Sequence, residues 1–276
     1  RPNFPVTSGS YGSGAASFGE ALFALKLASN GTQIYGAVIP STSSLDSTGT
    51  YLGGIAVDPQ GNLYISGTTA GDLPATGGAL LTILPQGAGA AGFLLGLNPT
   101  ASALTFATYL PGTDSAGPVA RAADGSLFVT GETRESNLPV AANAFQKTLS
   151  TGCACNSGYI LHIDSTGSAV LGATYLSGSI PSNMGTNFGT IALDNSGDIF
   201  VGGVTDSTDF PVVNPIVSFL DEIGNLTSGG TIIAGLSPDL STMAFGSYFN
   251  GNGAGSKLSA MTVSSTGRLV FAGTTF

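Results

Sequence analysis

The chain has 276 residues, enough to bury a large core, yet only 8% are charged against 42% apolar, with a mean hydropathy of +0.33. Seven Lys and Arg against sixteen Asp and Glu leave a net charge of −9 with no basic cluster, which argues against nucleic-acid binding through phosphate neutralisation. Gly, Ser, Thr and Pro interrupt every apolar run short of the ~18–20 residues a membrane helix needs, so these residues are expected to line strands and not to insert into a membrane.

In chain order, an F-P element in "RPNFPV" is followed by a hairpin pattern, "ALFALKLASNGTQIYGAVI" from Ala21. A second kind of hairpin, "VDPQGNLYISGTT" from Val57, has an apolar stretch, a tight polar turn and an alternating stretch that stops at Gly-Thr-Thr. It returns as "RAADGSLFVTGET" from Arg121, "LDNSGDIFVGGVT" from Leu193 and "VSSTGRLVFAGTT" from Val263. The first kind returns between these, as "GFLLGLNPTASALTFATYL" from Gly92, "GYILHIDSTGSAVLGATYL" from Gly158 and "GTIIAGLSPDLSTMAFGSYF" from Gly230. The turn glycines Gly61, Gly125, Gly197 and Gly267 are 64, 72 and 70 residues apart. Each unit therefore contains two hairpins, hence four strands, and apolar residues such as Leu63, Ile65 and Phe128 recur at period two to put one face into a packing layer. Helical periodicity is nowhere sustained. Internal repetition governs the fold: an all-β chain, a β-propeller of four-stranded antiparallel blades, about four in this segment. The divisions expected are 1–53 for the second half of a blade and its connection, 54–117, 118–188 and 189–258 for blades, and 259–276 for the first half of a blade.

The pattern "GIAVDPQGNLYISGTT…DLPAT…GFLLGLNPTASALTFATYLPG" resembles the SBBP-type β-propeller repeat. Its F-P landmark is matched at Phe4, Leu73, Leu138 and Phe210, so the likeness covers essentially the whole chain. Two landmarks depart: Arg268 replaces Asn after the last turn glycine, and "YGAVI" lacks the Thr-Tyr of the first unit. The resemblance implies a bacterial surface or secreted setting and no catalytic residues to carry over. It also implies more blades, commonly seven. The sequence opens at Arg1 without Met, signal peptide or lipid motif, as a piece of a longer chain would. Set Phe276 before Arg1 and Pro5 falls eight residues after Gly273, as Pro139 follows Gly131 and Pro211 follows Gly203. Two arrangements fit: a closed four-blade ring whose terminal strands share a blade, or a segment in phase with a longer array. The open form would leave apolar faces to be covered by further blades or another subunit, so self-association is expected of it.

Hairpin lengths are constant, and all variation falls in the loop carrying the F-P element and in the blade-to-blade connection, which emerge on one face. That long-loop face is the candidate binding face. Its candidate residues are Asp72, Asp114, Arg134, Glu135, Asp206, Asp209, Asp221 and Glu222. The Asp206–Asp209 stretch lacks the spaced oxygen ladder of a calcium loop, and neither a metal site nor a cofactor is expected. Cys153 and Cys155 are expected to be oxidised to each other, stiffening one long loop. His162, the one histidine, reads as structural. "GAGAAG" from Gly87 precedes a strand and lacks the helix N-terminus that would hold phosphate. Two functions remain open: a non-catalytic extracellular or cell-surface module for assembly, adhesion or recognition of glycan or protein subunits, or a polysaccharide-active enzyme with a carboxylate site on the same face. The scarcity of His, Lys and Arg favours the first.

Overall fold

The computed structural model describes residues 4–14, 21–40, 50–149, 156–179, 185–219, 229–249 and 256–275. Among them there are sixteen strands and no helix. A two-stranded sheet of β1 (Ala21–Leu27) and β2 (Gln33–Pro40) comes first. Three four-stranded antiparallel sheets follow. The first is β3 (Tyr51–Val57), β4 (Leu63–Thr69), β5 (Ala91–Leu97) and β6 (Leu104–Tyr109). The second is β7 (Val119–Arg121), β8 (Leu127–Thr133), β9 (Ser157–Ile163) and β10 (Val170–Tyr175). The third is β11 (Thr186–Leu193), β12 (Ile199–Thr205), β13 (Gly230–Leu236) and β14 (Met243–Phe249). A second two-stranded sheet, β15 (Ser256–Val263) and β16 (Leu269–Thr275), ends the series. The first strands β3, β7, β11 and β15 lie side by side in that order, which makes them the inner strands of successive β-propeller blades. The divisions placed from sequence at 53/54, 188/189 and 258/259 fall inside β3, β11 and β15, because the inner strands begin earlier, just after Thr50, at Thr186 and at Ser256.

The tight turns form for local reasons. In the first hairpin of each blade the turn glycine has a positive φ, 89° at Gly61, 95° at Gly125 and 86° at Gly197. A side chain tethers the amide beyond it: Asp58 Oδ1 accepts from Asn62 N at 2.7 Å, and Asp194 Oδ1 from Asp198 N at 3.0 Å. Ala122 stands where these aspartates do, and Asp124 substitutes by accepting from Ser126 N at 2.9 Å. In the second hairpin Asn98 and Asp164 play the same part.

The glycine that closes each second strand serves a different need. A Cβ at Gly67, Gly131, Gly203 or Gly273 would lie 2.1, 2.3, 1.9 or 2.2 Å from the carbonyl oxygen of Tyr51, Ser115, Asn187 or Lys257. The inner strands β3, β11 and β15 bulge opposite this position, bringing backbone against backbone where no side chain fits. The bulge is why a Gly recurs six residues after each turn glycine.

The core differs from the single packing layer expected from period-two alternation. In β4, β5, β8, β9 and β13 nearly every residue is buried, because each blade is sandwiched between two others. Leu63 and Ile65 pack with Phe93, Leu95 and Leu97 toward the β1–β2 sheet. Leu127 and Val129, their counterparts, pack with Tyr64 and Phe106 of the preceding blade. Phe128 points the other way, into the cluster shared with Phe188 and Val201.

The landmarks of the repeat are physically coupled. The buried tyrosine of each outer strand clamps the F-P loop of its own blade. Tyr109 Oη accepts from Leu73 N at 2.7 Å and donates to Gly71 O at 2.8 Å. Tyr175 does the same with Leu138 N and Glu135 O, and Tyr248 with Phe210 N and Ser207 O. The hydroxyl one residue earlier ties the far end of the loop: Thr108 to Leu81 N, Thr174 to Gln146 N, Ser247 to Val217 N. Backbone bonds from Tyr109 N, Tyr175 N and Tyr248 N to Leu81 O, Gln146 O and Val217 O complete the seam. Each long loop thus covers the outer edge that would otherwise be left unpaired. In β2 the corresponding position is Val38, and the loop there is held instead by Gln33 Nε2 donating to Pro5 O at 2.7 Å.

Candidate functional site

The eight residues nominated on the long-loop face separate into four groups. Asp221 and Glu222 lie outside the described residues, as do Cys153 and Cys155. Asp72 and Asp209 occupy equivalent places, directly before the Leu-Pro and Phe-Pro elements, and Glu135 lies two residues earlier in its own loop; each is beside the clamp tyrosine of its own blade. They are therefore spread one per blade along the outer strands and do not converge. Burial raises the pKa of each clamp, with the nearby acid adding to it: Tyr109 with Asp72, Tyr175 with Glu135, and Tyr248, pushed up to about 12, with Asp209. Asp209 also ties two segments, accepting from Ser179 N at 2.8 Å and from the Ser179 hydroxyl. Asp206 is buried and accepts from Gly185 N at 3.0 Å.

Asp114 and Arg134 do come together. Asp114 Oδ2 accepts from Arg134 N at 2.7 Å, and Arg134 Nε donates to Asn156 Oδ1 at 2.7 Å. Asn156 Nδ2 donates in turn to Glu132 Oε2, and Glu132 Oε1 accepts from Asn187 Nδ2 on the next blade. The result is a chain of carboxylate, guanidinium and amide groups that crosses from the β7–β10 blade to β11. Arg134 and Asn187 are exposed and Glu132 is half-buried. Glu132 and Asn187 were not nominated from sequence, but a signal for Glu132 exists. The residue after the strand glycine is Thr68, Val204 or Thr274 in the other units, and Glu132 is the one charged side chain there.

The opposite, tight-turn face holds a cavity of about 600 Å³ whose lining includes Arg121, Asp124, Ser126, Phe128, His162 and Asp194. Its central group has the ingredients of a catalytic triad in the wrong order. Ser126 Oγ donates to Asp124 Oδ1 at 2.6 Å, and His162 Nε2 lies 2.8 Å from Ser126 Oγ. The hydroxyl sits between the acid and the imidazole, whereas activation of a serine needs the imidazole in the middle. The hydrogen bonds from Ser126 hold the Asp124 carboxyl below its usual range, and burial holds the His162 imidazole low against the pull of that carboxylate.

A structural account of His162 follows from the repeat. Third and fourth strands pair a glycine with an aromatic, Gly96 opposite Phe106 and Gly235 opposite Phe245. In the β9–β10 pair the order is reversed, His162 opposite Gly172, and the imidazole stacks on Phe128 with ring centroids 3.9 Å apart. The stack on Phe128 and the contact with Ser126 Oγ account for the place of the ring.

Residues 46–74 match the family model described as SBBP, Beta-propeller repeat. The match spans the β3–β4 hairpin and runs into the F-P loop, the unit on which the other blades are variations. No curated protein matches the chain.

Proposed function

We propose that this SBBP-type repeat protein is a non-catalytic extracellular module that recognises a glycan or a protein through its long-loop face, as part of a surface assembly. The supporting observation is the network from Asp114 through Arg134, Asn156 and Glu132 to Asn187. It presents carboxylate, guanidinium and amide groups along one strip that crosses two blades. Such groups hydrogen-bond well to hydroxyl-rich or peptide ligands, and their mutual bonds hold them in place before a ligand arrives. The rigid tyrosine-clamped loops around the strip keep its geometry fixed.

The test is a glycan and peptide array probed with the chain and with Glu132→Ala, beside a depolymerisation assay on the polysaccharides used. The reading expects a bound class that Glu132→Ala weakens by about tenfold, on the scale of one lost charge-assisted contact, with polymer length unchanged. Shortening of a polysaccharide by the purified chain, abolished by substituting an acid on this face, would establish the hydrolase or lyase instead.

A further inference from the structure

Laid against its neighbours, the β7–β10 blade departs from the repeat at one place. The first-hairpin turns of the three complete blades read "VDPQGN" from Val57, "RAADGS" from Arg121 and "LDNSGD" from Leu193. The middle turn has Arg121 where the others have Val57 and Leu193, and its acid has moved from the second position, Ala122, to Asp124. Its third strand has His162 where the others have Gly96 and Gly235. The neighbouring blades form the same hairpins without these residues, so the fold does not require them. Arg121, Asp124, Ser126 and His162 all line the cavity of about 600 Å³ on the tight-turn face. Three consecutive blades enclose it, with Val57 and Pro59 on one side and Leu193, Asp194 and Pro238 on the other.

The hydrogen bonds determine what the imidazole offers. Ser126 Oγ gives its one proton to the Asp124 carboxylate at 2.6 Å, so toward His162 Nε2, 2.8 Å away, it can only accept. His162 therefore carries its proton on Nε2 and keeps Nδ1 as a bare acceptor. Among the described residues Nδ1 has no partner, and it is not sealed from solvent as Arg121 Nε is. Asp124 and Asp194 each use Oδ1 for their own turns, which leaves Oδ2 of both without a partner among the described residues. The Arg121 charge is offset by Asp58 of the preceding blade, and its guanidinium donates to Ala122 O at 3.2 Å. The cavity thus carries three free acceptors, two of them anionic, on a chain of net charge −9. Among the described residues no three acids or imidazoles close on one point, which a metal ion would need and an alkylammonium does not.

We propose that this cavity binds an aliphatic amine in its ammonium form, with His162 Nδ1 accepting an N–H and the Asp124 and Asp194 carboxylates supplying the countercharge. The alkyl chain lies against Val57, Leu193 and Pro238, as the stem of a lysine lies along apolar surface. A free diamine and the lysine side chain of a peptide share this chemistry. The site is on the face opposite the Asp114–Asn187 network, so it stands or falls apart from recognition there.

The chain has one histidine, so proton–nitrogen correlation spectra of the untagged protein near neutral pH report on this imidazole alone. The expected spectrum shows a proton on Nε2 and a bare Nδ1. Diaminobutane, or a lysine amide blocked at its α-amine, shifts the Nδ1 signal to saturation, and butanediol does not. Tighter binding of the lysine amide assigns the site to a peptide, and tighter binding of the diamine to a free polyamine. Asp194→Asn, which keeps the Oδ1 tether of its turn, weakens binding by at least about tenfold, on the scale of a charge-assisted hydrogen bond. Ser126→Ala frees Nε2, mixes the two tautomers and weakens binding as well. Glu135→Gln, the same loss of charge on the long-loop face, changes nothing. An imidazole that neither amine shifts overturns the proposal, as do equal shifts with butanediol, equal weakening by Glu135→Gln, or a proton on Nδ1 in the unliganded chain.

Discussion

The β1 strand and the β5 strand are the same element of the repeat in two surroundings. Phe23, Leu25 and Leu27 are 62%, 43% and 53% exposed, whereas Phe93, Leu95 and Leu97, their counterparts, are each 0% exposed. Both strands have seven residues, and both form the same hairpin with their fourth strand. What differs is the company. β5 has β4 at its inner edge and the β1–β2 sheet across its face, whereas among the described residues β1 has neither a second strand beside it nor a preceding blade. Local propensity and turn chemistry thus suffice to make a hairpin, but burial comes only from the neighbours. A propeller blade is incomplete as a folding unit in just this sense: its two faces are cores shared with other blades.

The sharpest way to break this comparison is to make one change in both places. Leu95→Ala is expected to lower stability by about 2–5 kcal/mol, since it empties a packed site. Leu25→Ala in the unassociated chain should stay within about 0.5 kcal/mol. Chemical denaturation of the two variants measures the difference, and equal losses would mean that β1 is covered after all.

The strand glycines give the next largest effect. Gly131→Ala drives a Cβ into Ser115 O inside the sandwiched β7–β10 blade and is expected to cost about 1–3 kcal/mol. Gly273→Ala meets the same clash with Lys257 O in a half blade, where the strand can shift. It should fray β15–β16, seen as faster exchange there, with little change in the global melting temperature.

Removing a clamp is expected to act on a comparable scale. Tyr175→Phe leaves Leu138 N and Glu135 O without the hydroxyl that serves both, at a cost of about 1–3 kcal/mol. Limited proteolysis should then cut first in the loop between β8 and β9. The Val38 position in β2 lacks a clamp already, and Val38→Tyr tests whether the hydroxyl alone is enough to tie the Phe4–Pro5 loop.

Titration is expected to show the smallest effect and to separate the two extremes of pH. Burial raises the Tyr248 pKa to about 12 in the folded chain, above the ordinary value of 10.0, so the neutral clamp stabilises the fold below pH about 10. That contribution is lost as pH rises toward 12. At Asp164 burial pushes the pKa up, but hydrogen bonds from Thr166, Ala169 and Ser168 outweigh it and bring the carboxyl to about 2 from 3.8. Its contribution is present above pH about 4 and lost as pH falls through about 2. Asp164→Asn should flatten the acid limb, and Tyr248→Phe the alkaline one.

Much of this organisation is legible in the sequence, for definable reasons. Turn glycines with their Asp or Asn tethers are local chemistry, and their fixed spacing from Gly67, Gly131 and Gly203 is enough to place the second strands. The starts of β3, β11 and β15 were not legible, because those strands open with Tyr-Leu-Gly, Thr-Asn-Phe and Ser-Lys-Leu around a bulge and carry no long apolar run at that point. The F-P and Thr-Tyr landmarks could be seen separately, but their pairing through the Tyr109, Tyr175 and Tyr248 hydroxyls depends on the path of a long loop. For the same reason the sequence does not show that Asp72, Glu135 and Asp209, all in long loops, each stand beside the clamp tyrosine of a different blade. The contact between Glu132 and Asn187, 55 residues apart, joins two blades and has no local signature beyond a charge where the other units have Thr or Val.

Hydrogen exchange resolved by strand, on the chain dilute enough to be monomeric, tests the dependence of burial on neighbours most directly. The account predicts slow exchange in β4–β5, β8–β9 and β12–β13, with fast exchange in β1 and β16 despite their shared repeat sequence. Protection of β1 and β16 equal to that of β5 and β12 in the monomer would contradict it.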